Sequence, residues 1–284
     1  MKNHFIAFIL FFSILNAAAQ DGKAYQIFNA KGKKVSYKKM LKKLAKSDVV
    51  FFGELHNNAM AHWLELQVTK DLAKKKELVL GAEMLEADNQ EALNLYLQNQ
   101  INSKGLDSTA RLWPNYKTDY KPLVDFAKRH KIPFIATNVP RRNARIVYHK
   151  GFKGLDSLSE TEKKWIAPLP IKYDKNLPGY VKMMEMMGGH GGENLPKAQA
   201  IKDATMAYFI GKNLQKGKLF LHYNGSYHSN NHEGIVWYLK KSHPNLKIAT
   251  ITVVEQDKVK KLKEENKNIA DFIIVIPSDM AKSY

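Results

Sequence analysis

Acidic and histidine side chains follow directly on an apolar run near the start of the chain. The segment VVFFGELHNN, residues 49–58, ends its apolar part at Gly53 and continues with Glu54 and His56. Residues two apart in a strand point to the same side, so this carboxylate and this imidazole are predicted to lie together. Such a pair can perform general acid–base chemistry or bind a divalent metal ion. A plainer interpretation has Glu54 capping the next helix and His56 making one hydrogen bond in the core.

Further apolar runs end in polar residues of similar kinds. Because ligands of open parallel sheets bind beyond the carboxyl ends of the strands, side chains at these ends are predicted to form one site. They are Glu83 in LVLGAEM, Asn138 and Arg141 in IATNVPRR, and His222, Asn224 and His228 in HYNGSYH.

The elements that must position these residues alternate in type. Short runs that are apolar on both faces are separated by helical periodicity, for example over residues 37–45, 59–75 and 234–242. This alternation predicts an α/β fold, with a mostly parallel central sheet flanked by helices on both faces. Residues 150–200 break the pattern, being rich in Pro, Gly and Met, and are predicted to form a helical insertion or lid. Gly-Gly pairs on either side of His190 would allow it to move.

Two carboxylates and two imidazoles in the predicted site suit a divalent metal ion. Glu54, His56, Glu83 and His228 are the candidate metal ligands, and in an enzyme they are also the candidate catalytic residues. The same four side chains can instead fix a ligand by hydrogen bonds alone. His62 lies six residues beyond His56, which is not the i+4 spacing of a zincin, so we expect it to have satisfied hydrogen bonds on its helix.

Composition limits the cellular setting and the partners. Residues 1–19 have the pattern of a signal peptide, with one lysine, an apolar run and Ala17-Ala18-Ala19 at the cleavage point. The chain lacks cysteine, so we expect neither disulfides nor a lipoprotein, but an exported protein that is periplasmic or secreted. The net charge of +18 comes mainly from scattered lysines, without the clustered module expected of a nucleic-acid partner. Residues 20–45 are predicted to be a lead-in and residues 46–284 the α/β domain.

An ordered set of motifs resembles a known family. GELH and GSYH form a pair of Gly-x-x-His motifs, accompanied in order by HWLELQ, AEMLEADNQEALNLYL, IATNVPRR and IKDATMAYFI. Together they resemble the ChaN family of haem-binding uptake proteins, within the Tiki/ChaN superfamily, over roughly residues 45–255. The resemblance implies an α/β domain with a helical insertion and a site built from the two Gly-x-x-His segments. It also implies haem binding linked to iron acquisition, in dimers, whereas Tiki-like relatives use the corresponding motifs as metal-dependent peptidases.

The resemblance also implies roles for particular residues. Asn138 and Arg141 would support the site, and Arg141 could pair with haem propionates. Because tyrosinate is a known axial ligand of haem, Tyr173 and Tyr180 in the insertion are the candidate iron ligands, with His190 as a distal or cross-subunit partner.

Two functions of different class therefore follow from the sequence. The favoured one is an exported haem-binding protein for haem and iron uptake, with haem or another small molecule as ligand, and with a homodimer and an outer-membrane haem transporter as candidate partners. The alternative is a metal-dependent hydrolase, a peptidase or esterase, that uses the Glu54, His56, Glu83 and His228 cluster. Many ChaN-type proteins are lipoproteins, and the missing lipobox cysteine argues against outer-membrane anchoring here.

Overall fold

The apolar runs described above form strands, and one further strand precedes them. The computed structural model describes residues 23–186 and 192–284, and within these ranges one seven-stranded sheet is present. Its strands are β1 Gln26–Asn29, β2 Val49–Glu54, β3 Leu78–Glu86, β4 Phe134–Asn138, β5 Leu219–Gly225, β6 Ile248–Gln256 and β7 Phe272–Pro277. The strand order is β1-β7-β6-β2-β5-β3-β4; only β1 is antiparallel to its neighbour. The predicted mostly parallel sheet is confirmed.

Helices connect the strands and cover both faces of the sheet. They are α1 Tyr37–Leu44, α2 Ala59–Ala73, α3 Gln90–Leu97, α4 Ser103–Thr109, α5 Lys121–His130, α6 Arg141–Lys150, α7 Glu160–Lys163, α8 Pro178–Met186, α9 Asn194–Lys212 and α10 Ile235–Ser242. Asn58 caps α2, since its side-chain oxygen accepts hydrogen bonds from the amides of Met60 and Ala61. Glu54 therefore does not have the capping role considered above. Over the described residues, no helix is long and apolar enough to cross a bilayer.

The central strand β2 shows why both faces must be covered. Val50 and Phe52 pack in one buried cluster with side chains of α1, α2 and α5, while Val49 and Phe51 pack in a second cluster with α9 and α10. All four are fully buried. Burying each such side chain stabilises the fold by about 1.5–3 kcal/mol, so an uncovered face would be costly. The helices on both faces follow from this composition, and the predicted fold class is confirmed.

Two parts of the chain complete this architecture. The predicted lead-in, residues 20–45, contains β1, which pairs with β7, and α1, which contacts α2. The predicted insertion, residues 150–200, contains a 3₁₀ turn at Phe152–Ser157, then α7, α8 and the start of α9. The predicted signal peptide and His190 lie outside the described residues.

Candidate functional site

The order of the central strands places the two Gly-x-x-His segments side by side. Strand β5 lies between β2 and β3, with Glu54 opposite Gly225 and Ala82 opposite Tyr223. The register of β3 against β4 shifts between Ala82 and Glu86, which is where Glu83 lies. The carboxyl ends of β2, β5 and β3 therefore bring both motifs and Glu83 to one edge of the sheet.

His228 lies between two carboxylates in the interior of the protein. Its Nε2 atom is 3.1 Å from Glu83 Oε1, and its Nδ1 atom is 2.5 Å from Asp203 Oδ1. Burial opposes protonation of the ring, but the charges of Glu83 and Asp203 outweigh it and raise the pKa of His228 to about 10. His228 is therefore an imidazolium at neutral pH, able to donate but not to accept a proton. The amide nitrogen of Gln199 lies 3.0 Å from the ring.

Glu83 is held from a second side by the backbone. Its Oε2 atom accepts a hydrogen bond of 2.7 Å from the amide of Gly225. Burial raises the pKa of Glu83, but the charge and hydrogen bond of His228 reverse this and hold the pKa well below its usual value. Burial also raises the pKa of Asp203, and the imidazolium offsets only part of that increase. The single positive charge of the His228 ring therefore does not fully compensate the two buried carboxyl groups, those of Glu83 and Asp203.

His56 is the more accessible imidazole, with 36% of its side chain exposed. Its Nδ1 atom is 2.7 Å from Glu54 Oε1, which also accepts a hydrogen bond of 2.8 Å from the hydroxyl of Tyr120. Burial lowers the pKa of His56, but the hydrogen bond to Glu54 and the charges of Glu83 and Glu54 raise it above its usual value. The ring contacts Trp113 edge to face, with 4.9 Å between centroids. Glu54 therefore orients His56.

Gly225 allows the His56 ring to approach β5. A Cβ atom added to Gly225 would lie 2.7 Å from His56 Nε2 and 3.5 Å from Glu83 Oε2. Since Nδ1 is bound to Glu54, it is Nε2 that faces the second motif and its carboxylate. The structure thus brings Glu54, His56, Glu83 and His228 together, in two groups that meet at Gly225.

A third imidazole, that of His62, lies behind His56. Its Nδ1 atom is 3.1 Å from Glu65 Oε2 and 3.2 Å from Glu54 Oε2, and its Nε2 atom is 3.1 Å from the carbonyl oxygen of His56. The expected hydrogen bonds of His62 are therefore present. Glu54, His62 and Glu65 are all buried, and their ligand atoms lie within 4.8 Å of one another. Among the described residues, these three side chains form a group whose ligand atoms lie close enough to hold one metal ion.

The predicted supporting residues of β4 and α6 differ in their surroundings. The side-chain amide of Asn138 donates a hydrogen bond of 2.9 Å to the carbonyl oxygen of Glu83, while its Oδ1 atom is buried without a partner. Arg141 begins α6 and is exposed. His222 is fully buried, between Thr137 and Asn224, and burial lowers its pKa to about 4. Asn138 therefore fixes the backbone at Glu83, whereas His222 is a neutral residue of the core.

The two predicted tyrosines of the insertion lie against the same site. The hydroxyl of Tyr180 donates a hydrogen bond of 3.1 Å to Asp203 Oδ2, and Tyr173 stacks on Tyr180 with 5.6 Å between ring centroids. Burial and the charge of Asp203 raise the pKa of Tyr180 far above its usual value. Tyr180 is 3% exposed, so it is a buried phenol as the structure stands. Tyr173 is half-buried.

The insertion is also joined to the second motif by backbone contacts. The hydroxyl of Tyr227 donates to the carbonyl oxygen of Gly179, and the amide of Gly179 donates a hydrogen bond of 2.6 Å to Glu233. Tyr227 is 39% exposed, and burial with the charges of Asp203 and Glu233 raises its pKa to about 12. The first turn of α8 is thus fixed to the segment that carries His228.

Several residues of the site are not among those predicted from the sequence. Asp203 stands in IKDATMAYFI, a motif that carried the family resemblance, so that motif was the available signal. Tyr120 lies in a π-helical turn, Tyr116–Tyr120, and Glu65 lies within α2. Neither residue follows a strand, so the expectation that ligands bind beyond the carboxyl ends of the strands did not identify them.

Two imidazoles lie at this edge of the sheet: that of His56 is accessible, and that of His228 is buried and positively charged. His56 is oriented through Nδ1 and presents Nε2 towards the motif of β5, as a general base or ligand would. His228 is a buried imidazolium, which can stabilise negative charge. Hydrogen-bonding, acid–base and metal-binding roles are all chemically accessible to this set.

Comparisons with known proteins agree with the fold. A family model described as haem-binding uptake, Tiki superfamily, ChaN matches residues 40–239. A solved structure of ChaN from Campylobacter jejuni, described for its cofacial haem binding, has a TM-score of 0.66 at 18% identity, covering 90% of this chain and 98% of that chain. A Bacillus cereus protein has a TM-score of 0.52 at 13% identity, covering 89% and 94% of the two chains. At these identities the structural likeness shows the fold.

One curated relative matches a shorter part of the chain. RETICULATA-RELATED 5, a chloroplastic protein of Arabidopsis thaliana, is 29% identical over 139 residues, which is 46% of this chain and 18% of that protein. This chain thus spans only a small part of that relative's length.

Proposed function

We propose that this chain, which belongs to the haem-binding uptake family ChaN of the Tiki superfamily, is an exported haem-binding protein that serves haem and iron uptake. The observation that carries the proposal is the family match over residues 40–239, which includes both Gly-x-x-His motifs and the insertion. The fold likeness to a ChaN described for cofacial haem binding supports the same function.

The residues present fit a haem on three counts. Haem needs an apolar surface, an axial ligand and cations for its propionates. Helix α8 exposes Val181 and Met186, which are 41% and 74% exposed, and its first turn is fixed beside the second motif. Arg141, at the start of α6, is exposed without a hydrogen-bond or ion-pair partner among the described residues, and the chain carries a net charge of +18. When bound, haem would supply the iron that the uptake function carries.

The candidate iron ligands differ in how far their present hydrogen bonds and burial would have to change when haem binds. Tyr180 would have to leave Asp203 and lose a proton from a buried hydroxyl. Tyr173 is half-buried, and burial with the charges of Glu193 and Asp174 raises its pKa. Tyr227 is more exposed than either and joins the candidates on that ground. His190 remains a candidate from the sequence.

Haemin titration of the purified chain tests the proposal. The expected result is a saturable Soret band that shifts or disappears in one of the ligand variants, Tyr173→Phe, Tyr180→Phe, Tyr227→Phe or His190→Ala. Tyr148→Phe is the matched control, because Tyr148 is also 39% exposed but lies on α6 and not on the insertion or a motif. No spectral change of wild type at micromolar haemin would exclude haem binding.

Assembly and export belong to the same proposal and have separate tests. We expect haemin to convert the chain to a homodimer, which light scattering after gel filtration would detect as a doubling of mass. The signal peptide predicted at residues 1–19 should direct the chain out of the cytoplasm, and fractionation of cells should find it there only if these residues are present. Partnership with an outer-membrane haem transporter would appear as haem transfer between the two purified proteins.

A second candidate function rests on the oriented His56. Its Nδ1 atom is bound to Glu54, its Nε2 atom faces the other motif, and the imidazolium of His228 lies behind Glu83. This is the arrangement of a general base beside an electrostatic stabiliser, which favours hydrolysis of a peptide or ester. A divalent metal ion, if bound, would supply an activated water.

The hydrolase candidate predicts a specific pattern of loss. Glu54→Gln should remove peptide or aryl-ester hydrolysis while the circular dichroism spectrum stays unchanged. Glu233→Gln is the control, since Glu233 contacts the insertion and not either imidazole of the two motifs. Full turnover in Glu54→Gln would refute this candidate and leave the haem-binding proposal untouched.

A further inference from the structure

Behind the accessible His56 lies a compact cluster of ionisable groups. Glu54, His62 and Glu65 are 1%, 6% and 0% exposed, and they bring two carboxylates to one imidazole. Their ligand atoms all lie within 4.8 Å of one another. Buried charges at this density need a compensating cation, a proton or a metal ion, because water does not reach them.

His62 uses its Nε2 atom for a hydrogen bond to the backbone, which leaves its Nδ1 atom as the nitrogen that can bind a metal ion. Its Nε2 atom is 3.1 Å from the carbonyl oxygen of His56. A carbonyl oxygen only accepts hydrogen bonds, so Nε2 must carry a proton. Burial opposes protonation of the ring, but the hydrogen bonds and charges of Glu54 and Glu65 raise the pKa of His62 to about 11, so Nδ1 carries a proton between the two glutamates that a metal ion would displace. Metal-binding histidines are oriented in this way, with the second ring nitrogen donating to a backbone carbonyl or carboxylate.

Two carboxylate oxygens in the cluster lack hydrogen-bond partners. Glu54 Oε2 and Glu65 Oε1 are buried and accept no hydrogen bond, although Glu54 Oε2 lies 3.2 Å from His62 Nδ1 and the other oxygen of each residue is bound. A single proton on Nδ1 can be directed at one glutamate at a time, which explains why His62 alone does not satisfy both. Orphaned buried oxygen atoms are rare in folded proteins and call for an occupant.

We propose that Glu54, His62 and Glu65 form a binding site for one first-row divalent cation, separate from the cleft between the two motifs. Carboxylate oxygen and imidazole nitrogen are ligands that Zn²⁺ and Mn²⁺ accept. Two atoms that each lie about 2.0–2.2 Å from one ion are at most about 4.4 Å apart, so the cluster needs to contract by only a few tenths of an ångström. The ion replaces the Nδ1 proton and binds both orphaned oxygens.

This cation site would act on the cleft through Glu54. One oxygen of Glu54 holds His56 and Tyr120, and the other faces the proposed ion. Binding the ion fixes the carboxylate from behind and so keeps the ring of His56 in place. The role is positional, because the ion is behind His56 and not in front of it.

Metal retention distinguishes this site from the set predicted in the cleft. The untagged full chain is stripped with EDTA, incubated with Zn²⁺ or with Mn²⁺, desalted and analysed by mass spectrometry of metals. Wild type should retain one ion more per chain than Glu65→Gln, whose retention at this site should fall by more than about tenfold. Glu83→Gln changes a candidate metal ligand of the cleft and so reports any ion bound there, whereas Glu233→Gln, at a residue that contacts the insertion, is the control that should retain as much as wild type. Equal retention by wild type and Glu65→Gln, or loss in Glu83→Gln alone, would overturn the proposal.

Thermal unfolding separates a metal ion from a proton as the occupant. Gln is neutral and has nearly the same shape as a protonated Glu. The variant Glu65→Gln should therefore fold without a metal ion. The melting temperature of wild type should rise with added Zn²⁺ or Mn²⁺ and fall with EDTA, because a ligand of the native state stabilises it. The variant should respond to neither. A wild type that also responds to neither would show that a proton fills the cluster, and would overturn the proposal whether or not the variant folds.

Discussion

Asp203→Asn is the perturbation that most directly tests the electrostatics of the site. Asp203 is 1% exposed; its Oδ1 atom is 2.5 Å from His228 Nδ1, and its Oδ2 atom accepts the hydroxyl of Tyr180 at 3.1 Å. Asn has the same shape but only one acceptor oxygen, so the change removes the charge and one of the two hydrogen bonds that Asp203 accepts. The imidazolium of His228 then relies on Glu83 alone.

The expected loss of stability follows from the geometry. Removing one partner of a buried ion pair costs about 3–5 kcal/mol, because the other charge is left without compensation. Here Glu83 still lies 3.1 Å from the ring, so we expect a smaller loss, about 2–3 kcal/mol of the free energy of unfolding at pH 7. Domains of this kind have about 5–15 kcal/mol in total, so the effect is measurable.

The loss should also depend on pH in a defined direction. The pKa of His228 is raised from its ordinary 6.5 to about 10, so the native state binds a proton that the unfolded state has released. Stability from this group is complete below pH 6.5 and is lost as the pH rises towards 10, with a slope of at most about 1.36 kcal/mol per pH unit. Asp203→Asn lowers the folded pKa and shortens this window. The difference between wild type and variant should therefore shrink between pH 7 and pH 10.

Urea unfolding followed by circular dichroism measures both effects. Wild type, Asp203→Asn and the control Asp156→Asn are compared at pH 7 and pH 10; Asp156 is an exposed aspartate of the insertion. Ionisable groups shared by all three proteins contribute equally to each and cancel in the differences. The reasoning is refuted if Asp203→Asn destabilises equally at both pH values, or if the control loses as much stability as the variant.

Three further changes test individual contacts. Gly225→Ala places a Cβ atom 2.7 Å from His56 Nε2, so it should displace the ring and destabilise the protein by about 1–3 kcal/mol; an unchanged His56 NMR signal would contradict this. Tyr120→Phe removes the hydroxyl that donates to Glu54 and should cost about 1.5–3 kcal/mol in urea unfolding, because the acceptor is charged. Glu233→Ala removes the acceptor of the amide in the first turn of α8 and should increase protease cleavage in the insertion; equal cleavage rates would show that this contact does not hold the helix.

The sheet could be predicted from the sequence because its signal is local. Val49, Val50, Phe51 and Phe52 are consecutive apolar residues, and a short run of β-branched and aromatic residues of this kind is typical of a strand buried on both faces. Strand β1 was missed because QIFN has two buried residues in four and its pairing with β7 is not a local property. The strand order also depends on contacts between distant segments.

The site could be predicted only where residues follow a strand directly. Glu54, Glu83 and His228 lie near the ends of neighbouring strands, and the parallel topology brings them together. Asp203 and Glu65 lie inside α9 and α2, where an acidic residue ordinarily faces solvent, and nothing in their immediate neighbours marks them as buried. Their position is decided by the packing of each helix on the sheet, which one sequence does not specify.

The two glutamates that the sequence made equivalent have different roles in the fold. Both oxygens of Glu54 face partners away from the cleft, namely His56 Nδ1, Tyr120 and His62, so Glu54 acts through the orientation of His56. Glu83 lies between the amide of Gly225 and the ring of His228, so it acts through charge. A ligand that enters beside Gly225 therefore meets the Nε2 atom of His56 and a carboxylate already neutralised by an imidazolium. Such a surface can receive a metal centre or a polarised carbonyl group. Loss of Glu54 should impair it by misplacing the Nε2 atom of His56. Loss of Glu83 should impair it by removing the carboxylate beside Gly225 and leaving Asp203 as the remaining carboxylate partner of the His228 imidazolium.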